Sequence, residues 1–114
     1  MKMVNCTPHA LTLRSHDGTD TVLAPSGMVP RVTSTPGQPT MVVGCPVPIY
    51  TADTLGEVEG LPAPEPGVMY VVSGMVLQAL AGSRPDVCAP GTGPQDHPVR
   101  NDKGHVVAVT RLKF

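Results

Sequence analysis

The chain is short, weakly charged and poor in aromatic residues. Its 114 residues carry a formal net charge of −1, with 40% hydrophobic residues, 3% aromatic residues and no tryptophan. This length predicts a single domain over residues 1–114, and the charge argues against a binder of duplex nucleic acid. Because aromatic side chains bury the most area, their scarcity predicts a light core that is completed between subunits of a homodimer or larger homo-oligomer.

The cysteines and the hydropathy pattern predict a cytoplasmic protein without a membrane segment. Cys6, Cys45 and Cys88 are far apart and form no Cys-x-x-Cys pair, which is typical of a reducing compartment. The first residues lack the basic and apolar segments of a secretory signal. No apolar run approaches the roughly 20 residues that cross a bilayer.

The N-terminal part of the chain predicts strands and a hairpin. The segment ALTLRSHDGTDTVLAP predicts strands at about 10–15 and 20–24, joined by a turn that contains Asp17-Gly18. The segment GMVPRVTST predicts a further strand, interrupted at Pro30 because proline cannot donate to a sheet ladder.

The middle of the chain predicts two more strands before a proline-rich crossing. The run TMVVGCPVPIY, residues 40–50, is apolar and β-branched, so it predicts a strand. Pro46 and Pro48 place the second half of that strand at a sheet edge. A short strand is predicted at 54–60.

The C-terminal half contains the one predicted helix. VMYVV predicts a strand at 68–72, and Ser73 is a plausible N-cap for a helix at about 74–82 that ends at Gly82. A closing hairpin with its turn at 101–104 completes the chain. The fold class is therefore a mixed β-rich α+β fold with about seven short, mainly antiparallel strands and one short helix.

No residue set in the sequence predicts catalysis or metal binding. The four histidines and three cysteines lack the close spacings that zinc ligands usually show. Ser73 lies between a strand and a helix, but VVSGM lacks the glycine that precedes the serine of a nucleophile elbow, so a helix N-cap explains it more simply. We therefore expect no catalytic residues, no metal and no cofactor.

The glycine- and proline-rich segment at 83–104 contains the best candidates for a ligand site. Its loop APGTGPQD lacks the spacing and the Lys-Ser/Thr pair of a phosphate-binding P-loop. Arg84 and Asp86 precede that loop and Arg100 follows it; guanidinium groups suit phosphate oxygens, and a carboxylate suits ribose hydroxyls. Two interpretations remain open, because Arg84 and Asp86 can equally pair with each other at the surface.

Five segments form an ordered set of motifs: VNCTPHALTL, APSGMVPRV, GEVEGLPAPEPGVMYVVSGMVLQAL, RPDVCAPG and VRNDKGHVVAV. Together they span nearly the whole chain and resemble a family of small proteins of tailed bacteriophages and prophages. The chain differs from that family in a longer Gly-Pro-rich insertion at 91–98 and in Cys6, where the family usually has an apolar residue. The family is in turn similar to the Thoeris anti-defence sponge of the first type.

The resemblance implies a ligand and an assembly. Sponges of this type are β-rich, assemble from dimers into larger oligomers, and hold cyclic ADP-ribose isomers in pockets shared by two subunits without cleaving them. Some relatives also bind cyclic oligonucleotides in separate sites. The resemblance thus implies a phage protein that sequesters such immune signals in the cytoplasm of the infected bacterial host.

A cyclic ADP-ribose isomer needs cations for its pyrophosphate, acceptors for its ribose hydroxyls and a platform for its adenine. The residues that can meet these needs are Arg84, Arg100 and either Arg31 or Arg111 for the pyrophosphate, Asp86 for the riboses, and Tyr70, Tyr50 or Phe114 for the adenine, although Tyr70 also fits the core.

The N-terminal family motif adds Asn5, Thr7 and His9 to the candidates, and a capped turn that enters the first strand is the simpler alternative for them. Two other functions stay open: a phage structural or host-interaction protein with no nucleotide ligand, and an enzyme that degrades the same nucleotide.

Overall fold

The fold of residues 1–114 is taken from a computed structural model and is the predicted β-rich α+β fold, with twelve short strands instead of about seven. None of its helices has the length and apolar character that a membrane crossing requires. The elements are β1 (Lys2–Asn5), β2 (Leu11–Arg14), β3 (Asp20–Leu23), β4 (Arg31–Thr35), β5 (Pro39–Thr40), β6 (Ile49–Tyr50), β7 (Thr54–Glu59), β8 (Val68–Val71), α1 (Gly74–Leu80), β9 (Val87–Pro90), a 3-10 turn (Pro94–Asp96), β10 (Val99–Arg100), β11 (Val106–Ala108) and β12 (Leu112–Lys113).

A four-stranded sheet in the order β1-β8-β9-β12 forms the centre of the molecule. β8 pairs in parallel with β1 and with β9, and β12 pairs antiparallel with β9. A parallel pair needs a crossover connection, which α1 supplies between β8 and β9. The middle strands are covered on both faces, as parallel strands usually are: Val71 and Val87 are each 0% exposed.

The core is small and is built around one side of α1. Val76 of the helix packs with Cys6, Tyr70, Val72 and Val87 in one buried cluster. β7 and β4 also contact α1, so the ribbon that they form helps to cover the helix. The core thus depends on valines and one tyrosine, in agreement with the composition.

Four two-stranded ribbons surround the sheet: β2-β3, β4-β7, β5-β6 and β10-β11, all antiparallel. Two of them are the hairpins that the sequence predicts. Gly18 adopts a φ of 90° in the first turn, a conformation that glycine tolerates best. In the second turn the Asn101 carboxamide accepts hydrogen bonds from the N–H groups of Lys103 and His105.

The prediction of one strand over residues 40–50 is wrong. The chain pairs only Pro39 and Thr40 with Tyr50 and Ile49, and it turns back in between. Prolines 46 and 48 cannot donate to a ladder, and the N–H of Cys45 donates to the carbonyl of Val42 within the turn instead. We call residues 38–51 the arm.

Candidate functional site

A groove of about 790 Å³ beside α1 is the largest cavity of the chain. Its size falls within the roughly 300–1,000 Å³ that is usual for small-molecule sites. The wall is mostly apolar, with Gln78 and Arg84 as its polar side chains. The lining residues are Gly74, Leu77, Gln78, Leu80, Ala81, Gly82, Arg84, Pro85, Val87 and Phe114.

The local sequence of α1 explains the groove. The Ser73 hydroxyl accepts the N–H of Val76 at 3.4 Å, so the helix begins where the sequence predicts. Ala81 ends the helix in a left-handed conformation, with a φ of 51°. Val76 then points into the core, while Leu77 and Leu80 remain half-buried at the rim of the groove.

Arg84 lies on the groove wall and is paired with Asp86. The guanidinium Nε and Nη2 of Arg84 donate to the two carboxylate oxygens of Asp86 at 2.9 and 2.8 Å, and Nη2 also donates to the carbonyl of Pro62. These hydrogen bonds raise the pKa of Arg84 and lower the pKa of Asp86. Of the two possibilities left open by the sequence, the structure contains the mutual ion pair, which leaves Nη1 of Arg84 without a hydrogen bond inside the chain.

The predicted residues Arg100 and Arg31 do not line the groove. Arg100 lies on β10 and donates to the backbone carbonyls of Gly104 and Thr92, so it braces the closing hairpin. Arg31 is exposed at the start of β4, opposite Glu59 of β7. Within one protomer the structure therefore brings together Arg84 and Asp86 but neither of the other two arginines.

Asn5 and His9 belong to a capped turn away from the groove. Asn5 is 2% exposed, and its amide donates to the carbonyls of His9 and Leu23. The carboxamide oxygen accepts hydrogen bonds from the backbone N–H and the hydroxyl of Thr7. The Asn5 side chain is thus fully engaged within the chain, and His9 takes part through its backbone while its side chain is exposed.

The three aromatic candidates occupy different environments. Tyr70 is 3% exposed in the core, and its hydroxyl donates to the carbonyl of Ala63. Tyr50 lies exposed on the arm. Phe114 lines the groove and is 81% exposed, which makes it the aromatic ring available to a ligand there.

Three side chains that could act as nucleophiles, those of Ser73, Cys6 and Cys88, are engaged or buried. Ser73 uses its hydroxyl as the N-cap of α1. Burial raises the pKa values of the Cys6 and Cys88 thiols, so both favour the neutral, less nucleophilic form. No cluster of three or more potential metal ligands is present.

Sequence reasoning missed the role of Asp96 in the glycine-rich loop. This carboxylate is buried at 2% exposure, accepts the N–H of Gly93 and lies 3.3 Å from the Lys113 ammonium. Burial alone would raise its pKa, but Lys113, the Gly93 N–H and Arg111 together lower it below 3.8. Asp96 therefore fastens the loop to β12. The sequence around Asp96 does not indicate this role, because its two cationic partners, Arg111 and Lys113, come many residues later.

No model of a known protein family, no curated protein and no solved structure matches the chain.

Proposed function

We propose that the chain is a phage protein of the family that it resembles, and that it sequesters a cyclic ADP-ribose-type immune signal, without cleaving it, in the cytoplasm of the infected host. The observation that carries the proposal is the groove beside α1, whose volume of about 790 Å³ suits a dinucleotide-sized ligand.

The groove offers the chemistry that such a ligand needs at two of its parts. Phe114 and Leu77 provide an aromatic and an aliphatic surface for an adenine ring. Nη1 of Arg84 and the carboxamide of Gln78 are the polar groups that can meet a pyrophosphate or a ribose. A mostly apolar wall with a few polar groups is the usual composition of a nucleotide site.

An anionic ligand needs more positive charge than the groove of one protomer offers. Asp86 neutralises Arg84, so one protomer offers no net positive charge to a doubly negative pyrophosphate. A second copy that brings Arg31 or Arg100 to the rim would supply it. Because neither arginine reaches the groove of its own protomer, we propose that the complete site forms between subunits.

Retention without cleavage is supported by the state of the candidate nucleophiles. The Ser73 hydroxyl is occupied in the helix cap, and the two thiols of the sheet region are buried with raised pKa values. A ligand in the groove would therefore meet side chains that bind and orient it.

The test is a ligand-release experiment. The purified protein is mixed with a panel of cyclic ADP-ribose isomers and cyclic oligonucleotides, freed of unbound ligand, heat-denatured, and the released compounds are analysed. We expect one intact cyclic nucleotide in near-stoichiometric amount. Altered ligand would mean an enzyme, and the absence of any retained nucleotide would reject the proposal.

Two groove variants sharpen this test. Gln78→Glu adds a negative charge at almost constant shape and is expected to weaken binding of an anionic ligand by about 10-fold or more. Phe114→Ala removes the adenine platform, with a loss of about 10-fold expected from the stacking contact. Met75→Glu is the matched control, because Met75 is an exposed residue of the same helix that does not line the groove.

A second candidate function is a phage structural or host-interaction protein. It is favoured by the closed Arg84-Asp86 pair, since a groove with neutral walls also suits an apolar segment of another protein. In that case the release experiment yields no nucleotide. The protein is then expected to co-purify with virions or with a host protein, and Leu77→Glu is expected to abolish that association.

A further inference from the structure

The arm presents apolar side chains to solvent on a two-stranded ribbon. Val43 is 103% exposed, Met41 74%, Val47 58%, Tyr50 56% and Ile49 50%. β5 and β6 make their main contacts with each other. An isolated two-stranded ribbon is at best marginally stable in water. An apolar patch of this extent on such a ribbon is typical of a surface that another molecule covers.

The chain as a whole exposes more surface than a compact monomer of its mass. A compact monomer of this mass exposes about 6,000 Å², whereas this chain, of 11.9 kDa, exposes 7757 Å². Its radius of gyration is 17.2 Å, against about 13 Å for a compact domain of this length. The excess of roughly 1,800 Å² is more than the about 800 Å² that each partner contributes to a standard interface. This excess is a property of the whole chain, and it is large enough to include one side of a stable dimer interface.

The chemistry of the arm suits a second copy of itself. Residues 32–52 contain no Asp, Glu, Lys, Arg or His, so two arms can meet without bringing like charges together. In a two-fold symmetric interface each residue faces the same patch on the other subunit, and an uncharged apolar patch is complementary to itself. The ribbon of β5 and β6 also has an open edge on each side, which can pair with backbone of another strand.

We propose that the arm of one protomer packs against the arm of a second copy around a two-fold axis and forms the centre of a homodimer interface. Val43 at the tip and Ile49 on β6 are its apolar anchors. This inference rests on the assembly part of the proposed function and does not depend on the nucleotide.

The test measures the mass of the ligand-free protein in solution by light scattering after size exclusion. The wild type is expected to be a dimer or a multiple of dimers. Val43→Asp would bury a charge at the interface and is expected to weaken the dimer roughly 100-fold. Val22→Asp is the matched control, because Val22 is a 62% exposed valine on β3, outside the arm, and its variant is expected to assemble like the wild type.

Variants with opposite charges at residue 43 test whether the arm of one protomer contacts the arm of the other. Val43→Asp and Val43→Lys are each expected to be monomeric with an unchanged circular dichroism spectrum, and an equimolar mixture of the two is expected to recover the dimer. A monomeric wild type, a dimeric Val43→Asp protein, or a mixture that stays monomeric would each overturn the proposal. Because no ligand is present, a failed nucleotide experiment leaves all of these results interpretable.

Discussion

The central sheet and the arm are built from the same residue type and differ in what surrounds it. Val71 and Val87 lie in the middle strands of the sheet at 0% exposure, whereas Val43 at the tip of the arm is 103% exposed. In the sheet, Val71 of β8 lies between β1 and β9, and Val87 packs with Val76 of α1 in the buried cluster. In the arm, Val43 follows a two-residue strand and precedes prolines. The hydrophobic composition of a segment therefore does not predict whether it lies in the core. The number of strands and helices that the segment packs against decides this.

Matched substitutions of valine by aspartate should separate the two regions most strongly. Val71→Asp places an unpaired charge among fully buried side chains and is expected to destabilise the fold by more than about 4 kcal/mol. Val43→Asp is expected to change the free energy of unfolding of the protomer by less than about 0.5 kcal/mol. Urea denaturation followed by circular dichroism measures both, and similar losses in the two variants would contradict the contrast.

The next contrast uses two asparagines that both organise turns. Asn5 is buried and makes four hydrogen bonds, and Asn5→Ala leaves several buried partners without a bond, at an expected cost of about 2–4 kcal/mol. Asn101 makes similar bonds at the surface, and Asn101→Ala is expected to cost only about 0.5–1 kcal/mol. An equal loss of melting temperature in the two variants would mean that burial does not determine how much these hydrogen bonds stabilise the fold.

The base of the arm can be altered without touching the sheet. A Cβ on Gly37 would overlap the backbone oxygen of Thr51, so Gly37→Ala is expected to strain the base locally by about 1–3 kcal/mol. Hydrogen exchange at the amides of Gln38 and Thr51 is expected to accelerate, while exchange in β8 stays slow. Gly74→Ala is the control, because its Cβ meets open space at the start of α1. Faster exchange across the whole chain would mean that arm and sheet unfold together.

The smallest expected effect concerns acid stability at the glycine-rich loop. The folded-state pKa of Asp96 lies below its ordinary value of 3.8, so its contribution to stability is present above that pH and is lost as pH falls through the folded-state pKa. Asp96→Asn removes this contribution and is expected to flatten the loss of stability below about pH 4. Asp102→Asn, at an exposed residue of the last hairpin turn, should retain the wild-type profile in acid-titrated thermal melts.

Features set by neighbouring residues could be predicted from the sequence. The Asp17-Gly18 hairpin, the turn before Gly104 and the Ser73 cap of α1 each depend on a few adjacent residues, and all three occur as predicted. The arm was mispredicted because its apolar pattern fits a strand, while its prolines remove the donors that a strand needs.

Features set by distant residues could not be predicted. The parallel pairing of β1 with β8 joins opposite halves of the chain, and no residue near either strand indicates this pairing. The same holds for Asp96, because its cationic partners are Arg111, just before β12, and Lys113 on β12. The candidate site was found in part. Arg84 lines the groove, but the contribution of Gln78 and the leucines emerges only when α1 is placed beside β9.

The pairing of Lys2 with Val68 also affects the order in which the chain can fold during its synthesis on the ribosome. The early hairpins can close as soon as they emerge, but β1 has no partner until β8 has been made. At about 5–20 residues per second this delay lasts several seconds. During that interval Val4 and Cys6 lack the core residues against which they pack in the folded chain. The order in which the strands leave the ribosome therefore delays formation of the central sheet until more than half of the chain has been made.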